Sequence, residues 1–118
     1  MAKVLIIDDS HFTRTIIRKL VKDIGHETIE AANGQEGLDK IINEKPDLVM
    51  TDLLMPEMDG IKLLEAVKER EADVSVIVIS SNIQETVRQQ CLELGAIEFF
   101  NKPPNKEKLQ KLIVERLV

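Results

Sequence analysis

Three aspartates stand at the ends of short apolar runs. Asp8 and Asp9 follow Val4–Ile7, and Asp52 follows Leu48–Thr51. Ser80 closes the run Val74–Ile79, and Lys102 comes just after Ala96–Phe100. An acid behind a strand is most often a helix N-cap. Capping does not account for four run ends that carry acid, hydroxyl and amine together, and Ser10 or Asp9 can take the first cap and leave Asp8 without one. Two carboxylates about 5 Å apart repel by roughly 3 kcal/mol at an effective dielectric of 20. Three converging carboxylates cannot all stay ionised without a counter-charge. Lys102 offsets part of it. A hard divalent cation with oxygen ligands, Mg²⁺ above all, offsets the rest. A carboxylate beside such a cation, a hydroxyl and an ammonium is placed to accept a phosphoryl group, because the cation and the ammonium neutralise charge on the transferring oxygens.

Bringing these groups together requires strands that end side by side. The pattern alternates strand and helix five times along the 118 residues. After Val4–Ile7, the residues Phe12, Ile16, Leu20 and Ile24 recur every fourth position and predict a helix with one buried stripe, closed by Gly25. Thr28–Ala31 predicts a short second strand. Asn33-Gly34 turns into a second helix carrying Leu38, Ile41 and Ile42, which Pro46 ends. Leu48–Thr51 is the third strand, and the loop 53–59 leads to a helix with Ile61, Leu64 and Val67 on one face. Val74–Ile79 is the fourth strand, followed by a helix lined by Ile83, Val87, Cys91 and Leu94 and capped by Gly95. Ala96–Phe100 is the fifth strand, and Leu109, Leu112, Ile113 and Leu117 mark the last helix.

This alternation predicts an α/β fold with a parallel sheet. The unbroken apolar first, third and fourth strands suit positions covered on both faces. The second and fifth, interrupted by Glu30 and Glu98, suit edges. With neighbouring sequential strands and right-handed crossovers, the order is 2-1-3-4-5, a flavodoxin-like (βα)5 doubly wound sheet forming a single domain over 1–118. Its topological switch point lies between strands one and three, where ligands bind beyond the carboxyl ends.

Composition narrows the chemistry. Hydrophobic residues are 43% and charged residues 31%, as in an ordinary globular domain. No apolar run is long enough to span a membrane and no signal peptide is legible, so the expected compartment is the cytoplasm. The net charge of −5 argues against direct nucleic-acid binding. With no Trp, no Tyr and three Phe, there are few rings to stack on bases, flavins or sugars. The single Cys91 excludes an internal disulfide and a cysteine zinc cluster, and His11 and His26 are too few for a His-rich metal site.

The segments Val4-Leu5-Ile6-Ile7-Asp8-Asp9-Ser10, Met50-Thr51-Asp52-Leu53-Leu54-Met55-Pro56, Asp59-Gly60, Val78-Ile79-Ser80-Ser81 and Asn101-Lys102-Pro103, in this order and spacing, resemble the receiver domain of two-component response regulators over essentially the full length. The resemblance implies that Asp52 is the phosphoacceptor and that Asp8, Asp9, Asp52 and the backbone carbonyl of Leu54 hold one Mg²⁺. It implies that Ser80 binds a phosphoryl oxygen, that Lys102 pairs with it, that Phe99 is the aromatic switch residue, and that Lys102-Pro103 is a cis peptide. Leu54 and Asn82 fall at positions that tune dephosphorylation. The implied partners are a histidine kinase or phosphotransfer domain as donor, an output protein bound by the face of helix four, strand five and helix five, and a phosphatase. Asp8-Asp9-Ser10-x-x-x-Arg14 and Ala31-Ala32-Asn33-Gly34 are most similar to CheY-like single-domain receivers of chemotaxis, which bind the flagellar motor switch. A single-domain phosphorelay intermediate and a truncated transcription regulator are the alternatives.

Two departures from the family pattern matter. Ser80 stands where Thr is commoner, and Phe99 lacks the hydroxyl of the frequent Tyr. Such a protein is not an enzyme on other substrates; it acts only on itself. Two other classes fit less well. A haloacid-dehalogenase-type phosphatase needs D-x-D spacing and a cap domain, whereas Asp8 and Asp9 are adjacent. A flavodoxin-like electron carrier needs a phosphate loop that the two acids would repel. The remaining residues have plain readings: His11 solvated in the first turn, His26 exposed, Cys91 buried and inert, and the lysines of Lys102–Lys111 a solvated face. Met55, Pro56 and Met58 beside Asp52 have two readings, a partly apolar rim suited to a partner helix or simple loop packing.

Overall fold

The computed structural model describes residues 2–81 and 84–117. Asn82 and Ile83 therefore lie outside the described residues, and with them the tuning position assigned to Asn82. Five strands alternate with five helices: β1 Lys3–Ile7, α1 His11–Lys22, β2 Glu27–Ala31, α2 Gly34–Glu44, β3 Leu48–Thr51, α3 Gly60–Glu69, β4 Ser75–Ser80, α4 Glu85–Glu93, β5 Glu98–Asn101 and α5 Lys106–Arg116. All strand pairs are parallel, in the order β2-β1-β3-β4-β5. The flavodoxin-like order expected from the sequence is the order found.

The period of two in the central strands builds two cores at once. Leu5, Ile7, Val49, Val76 and Val78 face α2, α3 and α4, where Leu38, Ile41, Leu63, Leu64, Val67 and Cys91 meet them. Val4, Ile6, Leu48, Met50, Ile77 and Ile79 face the other way, against Ile17, Leu20 and Val21 of α1 and Leu109 and Ile113 of α5. Burying both faces is why these runs carry no polar residue until the strand ends.

Several local expectations shift. The buried face of α1 is Ile17, Leu20 and Val21, whereas Phe12 is 74% and Ile16 45% exposed. A strict four-residue repeat advances about 40° per step beyond a full turn, so a stripe anchored at Leu20 turns outward by Phe12. The α1 cap is Asp23, and Gly25 follows with φ 89°. His26 is half-buried, its Nδ1 3.2 Å from the Ala2 N–H, because the turn folds it under the chain start. Ile42 is exposed. Met55 is buried in the core and Met58 packs against it, so loop packing is the reading found for these two and the apolar rim beside Asp52 is reduced.

Polar side chains set the helix starts. Ser10, Asn33, Asp59 and Asn105 each accept from a backbone N–H two or three residues into the next helix. Gly60 opens α3 against the strand-three loop: its N–H donates to the Leu53 carbonyl at 2.9 Å. A Cβ there would stand 2.5 Å from the Asp52 carbonyl oxygen and 2.9 Å from the Leu53 Cα. Alanine is the better helix former by about 1 kcal/mol, so propensity and packing pull in opposite directions. Gly60→Ala is expected to destabilise the protein by about 1–3 kcal/mol in urea unfolding; an unchanged or raised stability would show that the loop yields.

Candidate functional site

The register places the strand ends in one row. Ile7 pairs with Ala31 and Thr51, Thr51 pairs with Val78, and Ser80 with Asn101. Each next residue therefore emerges at the same rim. Asp8 and Asp52 are 2% and 7% exposed. The Asp8 N–H donates to the Ala31 carbonyl at 3.1 Å and the Asp52 N–H to the Ile7 carbonyl at 3.0 Å, which extends the ladder by one step on each strand.

Both buried carboxylates are fully engaged. Asp8 Oδ1 accepts from the Ser10 N–H at 2.8 Å, and Asp52 Oδ1 from the Leu53 N–H at 2.7 Å. Their Oδ2 atoms both accept from the Lys102 ammonium, each at 2.8 Å. Lys102 reaches them because its own N–H donates to the Ser80 carbonyl at 2.9 Å, which seats it beyond the β4 end. Burial pulls the Lys102 ammonium down, but hydrogen bonds and attraction from Asp52 and Asp8 outweigh it. The net effect holds the group above the ordinary lysine value of 10.5.

Asp9 is exposed, yet one oxygen each of Asp8, Asp9 and Asp52 lie within 4.8 Å of one another. One ammonium thus faces three carboxylates. This donor set, all hard oxygen with no nitrogen or sulfur, fits Mg²⁺. Ser80 is fully buried at the β4 end. Phe99 is buried on β5 within the α2–α3–α4 core. Leu54 is 67% exposed, two residues beyond Asp52. The Lys102–Pro103 peptide bond is cis. His11 is exposed, and Cys91 is buried, with burial pushing its thiol up.

Sequence reasoning used Arg14 and Glu30 only as a family motif residue and an edge-strand mark, and gave neither them nor Thr51 a part in the site. The Thr51 hydroxyl donates to the Asp52 carbonyl at 2.9 Å. Arg14 donates to the Asp8 carbonyl and to Glu30. A Glu near the end of β2, following a helix that carries Arg14 and Arg18, was the available signal.

The model of the family described as the response regulator receiver domain matches residues 4–114. The chain is 33% identical over 115 residues to the sporulation initiation phosphotransferase F of Bacillus subtilis, covering 98% of this chain and 93% of that protein. It is 39% identical over 104 residues to the chemotaxis protein CheY of Listeria monocytogenes, covering 87% of each. Among solved structures, the CheX–CheY–BeF3–Mg complex of Borrelia burgdorferi superposes with a TM-score of 0.92 at 34% identity, over 99% of this chain and 90% of that one. Similarity also extends to the protein-glutamate methylesterase of Treponema pallidum, at 39% identity, but the chain spans only 30% of that protein. Strand order, rim geometry and these matches agree that the chain belongs to the response regulator receiver domain family.

Proposed function

We propose that the chain is one receiver domain, spanning 1–118, that works as a phosphoryl-accepting switch in the cytoplasm. The observation that carries this reading is the Lys102 bridge between Asp8 and Asp52 beside Asp9. Asp52 is the acceptor. A phosphohistidine of a histidine kinase or phosphotransfer domain is the donor. One Asp52 oxygen attacks phosphorus as the P–N bond breaks, and the freed imidazole leaves. Asp8, Asp9, Asp52 and the Leu54 carbonyl would hold Mg²⁺, which when bound supplies positive charge to the phosphoryl oxygens. Lys102, already at the Asp52 carboxylate, serves the same charge from the other side. Ser80 at the end of β4 contributes a hydroxyl to a phosphoryl oxygen.

Exposed apolar groups near the same rim support a donor-binding surface there. Phe12 and Ile16, exposed on α1 just beyond Asp9, and exposed Leu54 just beyond Asp52 are apolar groups in water. Leu54 also stands where it can obstruct a hydrolytic water, and Asn82 completes that tuning pair. The output surface is the α4–β5–α5 face, on whose β5–α5 part a cleft of about 600 Å³ is lined by Phe100, Lys108, Lys111 and Leu112. The likeness to CheY favours a chemotaxis output such as the flagellar motor switch, with a phosphatase to end the signal. The likeness to the sporulation phosphotransferase supports a second reading, a phosphorelay intermediate that passes the group on. A magnesium-dependent aspartyl phosphatase is less well supported. Among the described residues no helix is long and apolar enough to cross a membrane.

Three outcomes test this reading. Incubation with Mg²⁺ and acetyl phosphate is expected to add one base-labile phosphoryl group by mass spectrometry, lost with Asp52→Asn or with a chelator; labelling that survives Asp52→Asn sinks the assignment. In metal-free buffer, Asp9→Asn is expected to raise the unfolding free energy by about 1 kcal/mol by relieving repulsion. Mg²⁺ at about a hundred times its Kd should stabilise the wild type by about 2.7 kcal/mol and the variant by less. Lys102→Met strands two buried carboxylates and is expected to cost about 2–4 kcal/mol at pH 8. Since the folded lysine value is raised, its contribution is full below 10.5 and fades as pH rises through the folded value. The wild-type advantage in urea unfolding should therefore shrink only in strongly alkaline buffer; a loss near neutrality would contradict it.

A further inference from the structure

Arg14 is one of the most heavily bonded side chains outside the acidic site. Its Nη1 donates to the main-chain oxygen of Asp8 at 2.5 Å, and its Nε to Glu30 Oε1 at 3.1 Å. Arg18, one turn further along α1, donates from Nη1 to Glu30 Oε2 at 2.9 Å. Both Glu30 oxygens are thus taken by guanidinium groups, and Glu30 and Arg14 are partly buried. The Glu30 carbonyl in turn accepts from Lys40 of α2. Two guanidinium groups of α1 thus hold the Glu30 carboxylate while Lys40 of α2 holds its main chain, and Arg14 carries that fixity to the Asp8 carbonyl.

The Asp8 carbonyl belongs to the planar peptide unit that joins Asp8 to Asp9. Fixing its direction limits ψ of Asp8 and φ of Asp9, and so sets where the Asp9 Cβ points. Asp8 is otherwise held by its N–H and by both carboxylate oxygens. Asp9 is exposed and has no side-chain partner among the described residues. Its aim therefore depends on the peptide plane behind it. We propose that Arg14, locked in place by Glu30, is a positioning residue that aims Asp9 at the cation shared by Asp8 and Asp52. The inference rests on the cation reading given above and adds a group that touches neither the cation nor the phosphoryl oxygens.

Charge and geometry make opposite predictions here, which gives the test its force. If Arg14 acted only as a nearby positive charge, removing it would tighten cation binding. If it positions Asp9, removing it weakens binding, and Arg14→Lys, which keeps the charge but cannot bridge the Asp8 carbonyl and Glu30 with one planar fork, weakens it too. Isothermal titration with Mg²⁺, well below the melting temperature, is expected to show about a tenfold loss for Arg14→Gln, as when a group that orients metal ligands is removed. Arg14→Lys and Glu30→Gln should lose several-fold, and the double variant Arg14→Gln/Glu30→Gln should match Arg14→Gln alone, since Glu30 acts through Arg14. Amide exchange at Ser10, whose N–H is bonded to Asp8 Oδ1 across the same peptide plane, should quicken in the same variants in metal-free buffer. Mg²⁺ affinity unchanged or tightened in folded Arg14→Gln, even with a lowered melting temperature, overturns the positioning role and leaves the cation reading intact. A wild type that takes up no Mg²⁺ overturns both.

Discussion

The Lys102 ammonium between Asp8 and Asp52 is the contact on which the rest of the rim depends. It joins residues 94 and 50 positions apart in sequence, so it forms only once β1, β3 and β5 have assembled. The strand order explains its geometry. β1 and β3 are neighbours, which brings the two aspartates together. β5 is separated from β3 by β4, a distance of two strand spacings or about 10 Å. A short side chain would not cross that gap. A lysine seated by its own N–H on the Ser80 carbonyl can.

The acids oppose the fold locally, and the two cores overrule them. A pair of carboxylates at this separation costs a few kcal/mol before compensation. Each fully buried Val, Leu, Ile or Met side chain contributes roughly 1.5–3 kcal/mol. Val4, Leu5, Ile6 and Ile7 on β1 and Leu48, Val49 and Met50 on β3 are all essentially inaccessible. Apolar burial therefore fixes where the strands end, and the charges accept that placement. Gly60 is part of the same constraint, because α3 begins in direct contact with the Asp52 carbonyl. A site built this way is held by residues that have no chemistry of their own.

Much of this was legible in the residues. Continuous apolar runs marked the central strands, and Glu30 and Glu98 marked the edges. Polar residues at the run ends located the rim, since a strand that leaves the core must change character there. The misreadings have two causes: the local geometry of a helix, and surroundings that come from contacts distant in sequence. Phe12 fits a four-residue repeat but is turned away from the sheet by the twist of the helix itself. Met55 reads as a loop residue yet fills the core beneath Asp52. His26 meets the chain start, 24 residues away. Arg14 and Glu30 are ordinary charges in a helix and a strand, and only the pairing of β2 beside β1 sets them against Asp8.

The helices are not equally anchored, and that bears on how a charge at Asp52 is read out. α1 buries Ile17, Leu20 and Val21, and α3 buries Leu63, Leu64 and Val67 together with Gly60. Of the described residues of α4 only Cys91 is fully buried. Segments with few buried apolar groups open and shift at the least free-energy cost. α4 follows the β4 end, where Ser80 lies, and packs towards β5, where Phe99 is buried in the core it shares with Cys91. Under the proposed reading, phosphorylation adds about −1.5 to −2 charge at Asp52 and favours whichever placement of Ser80 and Lys102 meets it best. The element that gives way to that preference is the one held by least, so the readout falls on α4 and its neighbours, while α1, pinned to Asp8 through Arg14 and to the sheet through three buried side chains, stays as the fixed wall of the site.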